Sequence, residues 1–194
     1  MAFNNMTVRA KLTIAFGGLA LLIFLVSGFA VKALGDVDAQ FGNYVSGINA
    51  RTKLAAEVRT AVDSRAIAAR NLVIVTKPED IAMENAAVIK AHEEVTSKLA
   101  ELKELAQAPG VSAETRRQSS EMERIEQAYA PVTLGVVELA LKGNREEASA
   151  RIANECRPLL AALVKAANDY AQFSKTRSAK MIEEAEASYL AQRT

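Results

Sequence analysis

The sequence predicts an all-α protein: an antiparallel up-down-up-down four-helix bundle preceded by one N-terminal transmembrane helix. Three observations predict this fold class. They are an uncharged apolar run near the N-terminus, apolar residues at helical spacing almost everywhere after it, and a composition with no Trp, 9 Gly and 4 Pro in 194 residues. A chain rich in Ala, Leu, Glu, Lys and Arg is typical of helical proteins and excludes collagen-like and low-complexity classes.

The apolar run has the length of a membrane helix. Twenty residues without charge, from Leu12 to Val31, are rich in Leu, Ile, Val, Phe and Ala. As an α-helix they span about 30 Å, the thickness of a bilayer's hydrocarbon core. We therefore expect a transmembrane helix over residues 12–34. A cleavable signal peptide is the alternative, although its apolar core is usually only about 7 to 15 residues long.

The charges beside this run predict its orientation. Arg9 and Lys11 precede it, and the positive-inside rule places such a basic flank in the cytoplasm. We expect residues 1–11 to be a cytoplasmic N-terminus and residues 35–194 to form a periplasmic domain, anchored in a bacterial inner membrane.

Helix-breaking residues divide the exported part into four helices. The breaks are Lys77-Pro78-Glu79-Asp80, Ala108-Pro109-Gly110-Val111-Ser112 and Lys142-Gly143-Asn144, which combine turn residues with acids that favour a helix start. The helices are predicted near 36–76, 79–107, 112–142 and 145–193. Connections this short make consecutive helices antiparallel neighbours.

Two prolines fall inside predicted helices. Pro131 lies in the third helix and Pro158 in the fourth. Because proline lacks a backbone N–H, each is expected to kink its helix and to free a carbonyl one turn earlier.

Each helix carries an apolar seam with spacings of three and four residues, which predicts left-handed bundle packing. Arg65, Asn85 and His92 interrupt these seams. At about 1.5 Å of rise per residue, counting from the turns brings Arg65 level with His92 and with Tyr129 and Thr133 of the third helix. The polar groups are therefore predicted to share one layer.

A buried arginine keeps its proton and is costly to desolvate unless an anion meets it. The seams offer no Asp or Glu at the height of Arg65, so the missing anion is predicted to be a ligand carboxylate held by Arg65 and Arg70. The alternative is a structural ion pair of Arg65 with Asp63 or with an acid on a neighbouring helix. The candidate ligand-binding residues are Arg65, Arg70, Asn71, His92, Tyr129, Thr133, Arg151, Asn154 and Arg157.

Other classes of function find no support. The sequence has no haem attachment motif, no phosphate-binding loop, no nucleophile elbow and no zinc-protease motif, so we expect no enzyme and no catalytic residues. One His and one Cys, Cys156, do not suffice for a metal site, and no cofactor is expected. A net charge of +1 without a basic stripe argues against nucleic acid as a partner.

Two stretches resemble a known family. Met6 to Leu19 opens the membrane helix, and Ser64-Arg-Ala-Ile-Ala-Ala-Arg-Asn-Leu72 lies late in the first bundle helix. Both resemble the N-terminal part of methyl-accepting chemotaxis proteins. The resemblance implies a homodimeric chemoreceptor whose first helices pair, which senses small organic acids or amino acids and signals for chemotaxis by a small shift of the last helix.

The resemblance also bears on the ligand. In amino-acid receptors of that family, arginines late in the first helix bind the ligand carboxylate, and Arg65 and Arg70 match the first two by spacing. The position of the third family arginine is occupied by Ile74, so this sequence departs from the pattern of the amino-acid receptors. A dicarboxylate, tricarboxylate or aromatic acid is therefore at least as well supported as an amino acid.

Some alternatives stay open at this stage. The chain ends at Thr194, before the second membrane helix and the cytoplasmic domains of such a receptor, so we expect a fragment. The same input domain could belong to a histidine kinase, or the bundle could dock a periplasmic binding protein instead of a small molecule. The ligand, the sign of the response, and a site inside the bundle versus one at the dimer interface are not decided by the sequence.

Overall fold

A computed structural model describes the backbone of residues 7–193. Side chains are described throughout this range except at residues 8, 10, 11, 33, 36–41, 43–46, 185, 188, 189 and 191–193. Residues 1–6 of the expected cytoplasmic segment, and Thr194, lie outside the described residues. The helices are α1 (Val8–Ile74), α2 (Pro78–Ala106), α3 (Ala113–Leu141), α4 (Arg145–Arg151), a π-helical turn (Ile152–Cys156) and α5 (Arg157–Arg193). The all-α prediction is confirmed, with no strand in the described range.

The first helix is longer than expected. Two helices were predicted, over 12–34 and 36–76, whereas α1 continues from Val8 to Ile74. The two predicted helices leave out only Gly35, and a single glycine in a helix interior costs only about 1 kcal/mol. Within α1, Leu12–Lys32 is long and apolar enough to cross a membrane, with a mean hydropathy of 2.5.

The chain divides into two compact units, Met1–Ser46 and Gly47–Thr194. The second unit is the bundle. The helix ends at its three turns lie within one or two residues of the positions predicted from the helix-breaking residues. Pro78 is the first residue of α2, and the Ser112 hydroxyl accepts a hydrogen bond from the Thr115 backbone N–H at the start of α3. Gly110 and Gly143 in the two later turns adopt a φ of 81°, a left-handed conformation that favours glycine.

The predicted seams form the core of the bundle. Their apolar members are buried or half-buried on every helix, and Tyr129, Leu163 and Tyr170 are among the largest fully buried side chains. Alanines recur among the buried residues of α1, including Ala55, which allows neighbouring helices to approach closely. The core therefore follows from helical spacing alone.

The two internal prolines have different consequences. Pro131 lies inside α3, which continues from Ala113 to Leu141 without interruption. Before Pro158, by contrast, the backbone forms the π-helical turn, in which the Arg157 N–H bonds the Ile152 carbonyl. A π-turn inserts an extra residue into a helix and often occurs at functional sites. The fourth predicted helix is thus α4, this turn and α5 in succession.

Candidate ligand-binding site

Arg65 is the centre of a charged cluster in the core. Its side chain is fully buried, and its two terminal nitrogens donate to the two carboxylate oxygens of Glu126 at 2.6 and 2.7 Å. His92 Nδ1 lies 3.0 Å from Arg65 Nη1. The guanidinium carbon stands 4.9 Å from the centre of the Tyr129 ring, within the range of a cation–π contact. The predicted layer of polar groups on α1, α2 and α3 exists, although Asn85 has no hydrogen bond to it among the described residues.

The reason for assigning a ligand to Arg65 is wrong. No acid was expected at its height, whereas Glu126 is buried there and forms a two-pronged ion pair with it. The alternative of a structural ion pair with an acid on a neighbouring helix is the observed arrangement. Arg65 is also buried while Arg70 is exposed, so the two arginines face different sides of α1 and do not form a common clamp.

Glu126 was not identified from the sequence because the preceding residue, Ile125, was assigned to the apolar seam of α3. Ile125 and Glu126 are both buried, and either residue continues the spacing from Met122 to Tyr129. A buried stripe on a helix is about 100° wide or more, so two adjacent residues can both face the core. The sequence did contain a signal for this ion pair: Glu126 is an acid next to a seam position, at the same height in the bundle as Arg65.

His92 connects the buried cluster to the surface of the bundle. An arginine only donates hydrogen bonds, so in this contact His92 Nδ1 is the acceptor. The half-buried ring lines a groove of about 540 Å³ between α2 and α3, which Lys103 and Glu123 bridge at 2.9 Å. His92 therefore opens onto this groove.

Four predicted residues do meet, around a different space. A cavity of about 20 Å³ lies between α1, α3, the π-helical turn and α5, and we call it the core cavity. Arg70, Tyr129, Thr133 and Arg157 line it together with Cys156 and apolar side chains. Tyr129 and Thr133 are buried, whereas Arg70 and Arg157 are exposed. The two arginines thus contribute positive charge from the first and last helices of the bundle.

Neither of these two arginines is neutralised. Among the described residues, Arg70 and Arg157 form no side-chain hydrogen bond and no ion pair, although most other basic residues of the bundle have an acidic partner, as Arg124 has in Glu121. An arginine without a partner retains all five N–H donors for an anion. The rim of the core cavity is therefore positively charged, and no protein carboxylate among the described residues neutralises it.

The inner wall of the core cavity is weakly polar. Burial, the largest effect, raises the pKa of the Tyr129 hydroxyl above its usual value, and burial likewise raises the pKa of the Cys156 thiol. Both groups are therefore neutral at physiological pH. The Thr133 hydroxyl donates to the Tyr129 backbone carbonyl at 3.1 Å. The charged side chains that line the core cavity itself are those of Arg70 and Arg157.

The remaining candidates lie elsewhere. Asn71 donates to Glu84 Oε1 at 3.1 Å and so links α1 to α2. Arg151 is half-buried and lies over Gly135, where an added Cβ would be 2.5 Å from its Nη1 atom. Asn154 is exposed on the π-helical turn. None of these three lines the core cavity.

Comparison with known proteins identifies a family. A family model described as a four helix bundle sensory module for signal transduction matches residues 5–189. No curated protein matches the chain. The match covers nearly the whole sequence, including the apolar stretch and all the helices that surround the core cavity.

Proposed function

Because the chain belongs to the family of four-helix-bundle sensory modules of chemotaxis receptors, we propose that it is the periplasmic input domain of a transmembrane chemoreceptor. In this proposal the apolar part of α1, Leu12–Lys32, anchors the chain in the inner membrane. The bundle binds a small organic acid, and binding shifts the last helix relative to the first.

One observation carries the choice of ligand. Arg70 on α1 and Arg157 on α5 line the same cavity, and neither has an acidic partner among the described residues. A carboxylate matches the planar fork of a guanidinium group and can accept two parallel hydrogen bonds from it. Tyr129 and Thr133 supply neutral polar groups on the inner side. A dicarboxylate, tricarboxylate, aromatic acid or amino acid would all present the required group.

The size of the core cavity supports a coupled helix shift. At about 20 Å³ it has room for one water molecule and not for an organic acid. A ligand that reaches Tyr129 and Thr133 therefore binds only when α1 and α5 separate. Such a ligand has differential affinity for two arrangements of the same helices, which is the thermodynamic requirement for transmitting a signal.

A homodimer is part of the proposal. Ile67 and Ile74 on α1 are 55% and 68% exposed, although isoleucine is usually buried. They are separated by seven residues and flank Arg70 on the exposed side of α1. A second copy of α1 would cover these side chains through heptad packing. In such a dimer Arg70 would lie close to the shared interface.

Calorimetry against a panel of organic acids tests the function. The whole chain in detergent is titrated with dicarboxylates, tricarboxylates, aromatic acids and amino acids. We expect one class to bind. Arg70→Ala and Arg157→Ala should each weaken it about 10- to 100-fold, because hydrogen bonds to charged groups contribute about 1.5–3 kcal/mol.

Arg116→Ala is the matched control. The Arg116 side chain also has no ion pair in the described part of the chain, but it does not line the core cavity. It should leave the affinity unchanged. Full affinity in both cavity variants would remove the core cavity as the site. Silence across the panel, together with capture of a periplasmic binding protein, would favour the docking alternative.

A further inference from the structure

The groove between α2 and α3 that His92 lines is large enough for a small molecule. Its volume of about 540 Å³ lies within the range of about 300–1,000 Å³ that is usual for such sites. Leu99, Ala100 and Ala130 give it an apolar part. Its charged lining residues are Lys103, Glu104, Glu123 and Glu126, and we call it the acidic groove after its three carboxylates. It shares no lining residue with the core cavity.

A lysine of the chain shows which chemical group the acidic groove holds. Lys103 Nζ lies 2.9 Å from Glu123 Oε1, so a primary ammonium group is already bound to a carboxylate that lines the groove. The Lys103 side chain is 53% exposed. Because an exposed ion pair contributes little stability and costs the lysine side chain its freedom, Lys103 is easily displaced. A free ammonium group can therefore compete with it for Glu123.

The other two carboxylates of the acidic groove retain acceptor positions. Glu104 is exposed, and its side chain has no hydrogen bond or ion pair with any residue that the structure describes. Glu126 is 7% exposed, and each of its two oxygens accepts one hydrogen bond from Arg65. Because a carboxylate offers about four acceptor positions, about two remain free on Glu126. The groove thus presents charged acceptors from both of its helices.

Displacement of Lys103 leaves two negative charges without compensation. Three carboxylates then line the acidic groove, and Arg65, which pairs with Glu126 from the core side, neutralises one of them. Glu123 and Glu126 are three residues apart on α3, so their side chains are neighbours on one face of the helix. Two ammonium groups joined by an aliphatic chain match this arrangement, because the charges meet carboxylates and the chain covers apolar surface.

We propose that the acidic groove binds a small linear aliphatic diamine. One ammonium group takes the place of Lys103 Nζ beside Glu123, and the negative charge of Glu104 adds to its attraction. The other donates charge-assisted hydrogen bonds to the free acceptor positions of Glu126. The ligand is opposite in charge to the acid that the core cavity would take. This site is separate from that cavity, and it does not rest on the function proposed above.

Nuclear magnetic resonance of the single histidine tests the proposal. His92 is the one His of the chain and lines the acidic groove, so its ring signals report on this place. The whole chain in detergent is titrated with diaminobutane dihydrochloride at neutral pH, and we expect a saturable shift of these signals. Butylamine has the same carbon chain with one charge and should bind more weakly. Magnesium chloride has the same charge without the chain and should cause no saturable shift.

Variants of the charged residues assign the effect. Lys103→Met should strengthen diaminobutane binding about twofold to fivefold, because it removes the competing ammonium group. Glu104→Gln and Glu123→Gln should each weaken binding by a similar factor. Lys90→Met and Glu101→Gln are the matched controls, since they make the same charge changes on α2 outside the lining of the acidic groove. Both should leave the affinity unchanged.

Four results would overturn the proposal. The first is the absence of a saturable shift with diaminobutane in both the native chain and the Lys103→Met variant. The second is an equal response to magnesium chloride, which would reduce the effect to general attraction of divalent cations. The third is an equal gain in affinity for Lys103→Met and Lys90→Met, which would make net charge the cause. The fourth is full affinity in both Glu104→Gln and Glu123→Gln.

Discussion

The bundle contains two buried arginines on α1, each beside a buried tyrosine, and they differ in one group. Arg65 has Tyr129 under its guanidinium and Glu126 in a two-pronged ion pair. Arg51 has Tyr170 nearby, and it forms no ion pair with a carboxylate of the described residues. A buried arginine therefore does not by itself indicate a ligand site. What matters is whether the neighbouring helices already supply its anion.

The two arginines also constrain the bundle differently. Breaking a buried ion pair is costly because one charge remains without compensation, whereas the pair as a whole contributes little net stability. The Arg65–Glu126 pair links α1 to α3 at a fixed height in the bundle. The same substitution should therefore cost much more stability at Arg65 than at Arg51, and four measurements test this difference.

The largest effect is expected from Arg65→Met. The substitution leaves Glu126 buried without its cation and removes the cation–π contact with Tyr129. Loss of one partner of a buried pair costs about 3–5 kcal/mol. Urea unfolding followed by circular dichroism should show this decrease in the free energy of unfolding. A decrease below about 1 kcal/mol would mean that Glu126 is readily solvated, and the contrast with Arg51 would disappear.

Adding Glu126→Leu to Arg65→Met should restore most of the lost stability. With both charges gone, the layer becomes apolar, and such replacements of buried pairs are often neutral or stabilising by about 1–4 kcal/mol. The same urea experiment gives the coupling energy between the two positions. Additive losses in the two single variants and the double variant would argue that the pair does not act as a unit.

Arg51→Met should change stability little. It removes an unpartnered buried charge and one long hydrogen bond to the Leu105 carbonyl. In the absence of an organic acid, the free energy of unfolding should stay within about 1 kcal/mol of the native chain or rise. A loss comparable to that of Arg65→Met would place Arg51 in the same structural class.

The smallest effect concerns the two tyrosines at alkaline pH. Burial raises the pKa of Tyr129 and of Tyr170 in the folded protein. The unfolded chain releases these protons near pH 10, whereas the folded chain retains them to higher pH. Above about pH 10 the folded chain therefore binds more protons than the unfolded chain. The free energy of unfolding should fall as the pH rises through this range.

Ultraviolet absorbance of tyrosinate, recorded during a pH titration, should show a late-ionising component. Tyr129→Phe and Tyr170→Phe should each remove part of it. If neither variant changes the titration curve, these two side chains are more accessible to water than their burial indicates.

The helices could be predicted from the sequence because their ends are marked locally. Pro78, Ser112 and Gly143 place the turns within one or two residues, since caps and glycine conformations depend on a few neighbouring atoms. The continuity of α1 past Gly35 and the π-helical turn were missed. Both depend on how long helices pack, which leaves little trace in local sequence.

The site was less predictable for a related reason. The heights of Arg65, His92 and Tyr129 were right, because rise per residue is fixed in an α-helix. The occupant of the space between them was not, because Glu126 lies one position from a seam residue. Arg51 is also buried on α1, three residues before the core residue Leu54, and it was not among the polar residues that we identified in the seams.

The π-helical turn changes which residues of the last predicted helix face the core. Cys156, Leu163 and Tyr170 are buried at intervals of seven residues, but the preceding buried residue, Ala148, lies eight positions before Cys156. The wider turn absorbs this surplus residue, so that the segments on either side of it present their apolar faces to the same core. Conversion of the turn to regular α-helix would rotate one segment against the other by about 100°. The bundle thus contains, beside Arg157, a joint at which a small local rearrangement becomes a twist of an entire helix.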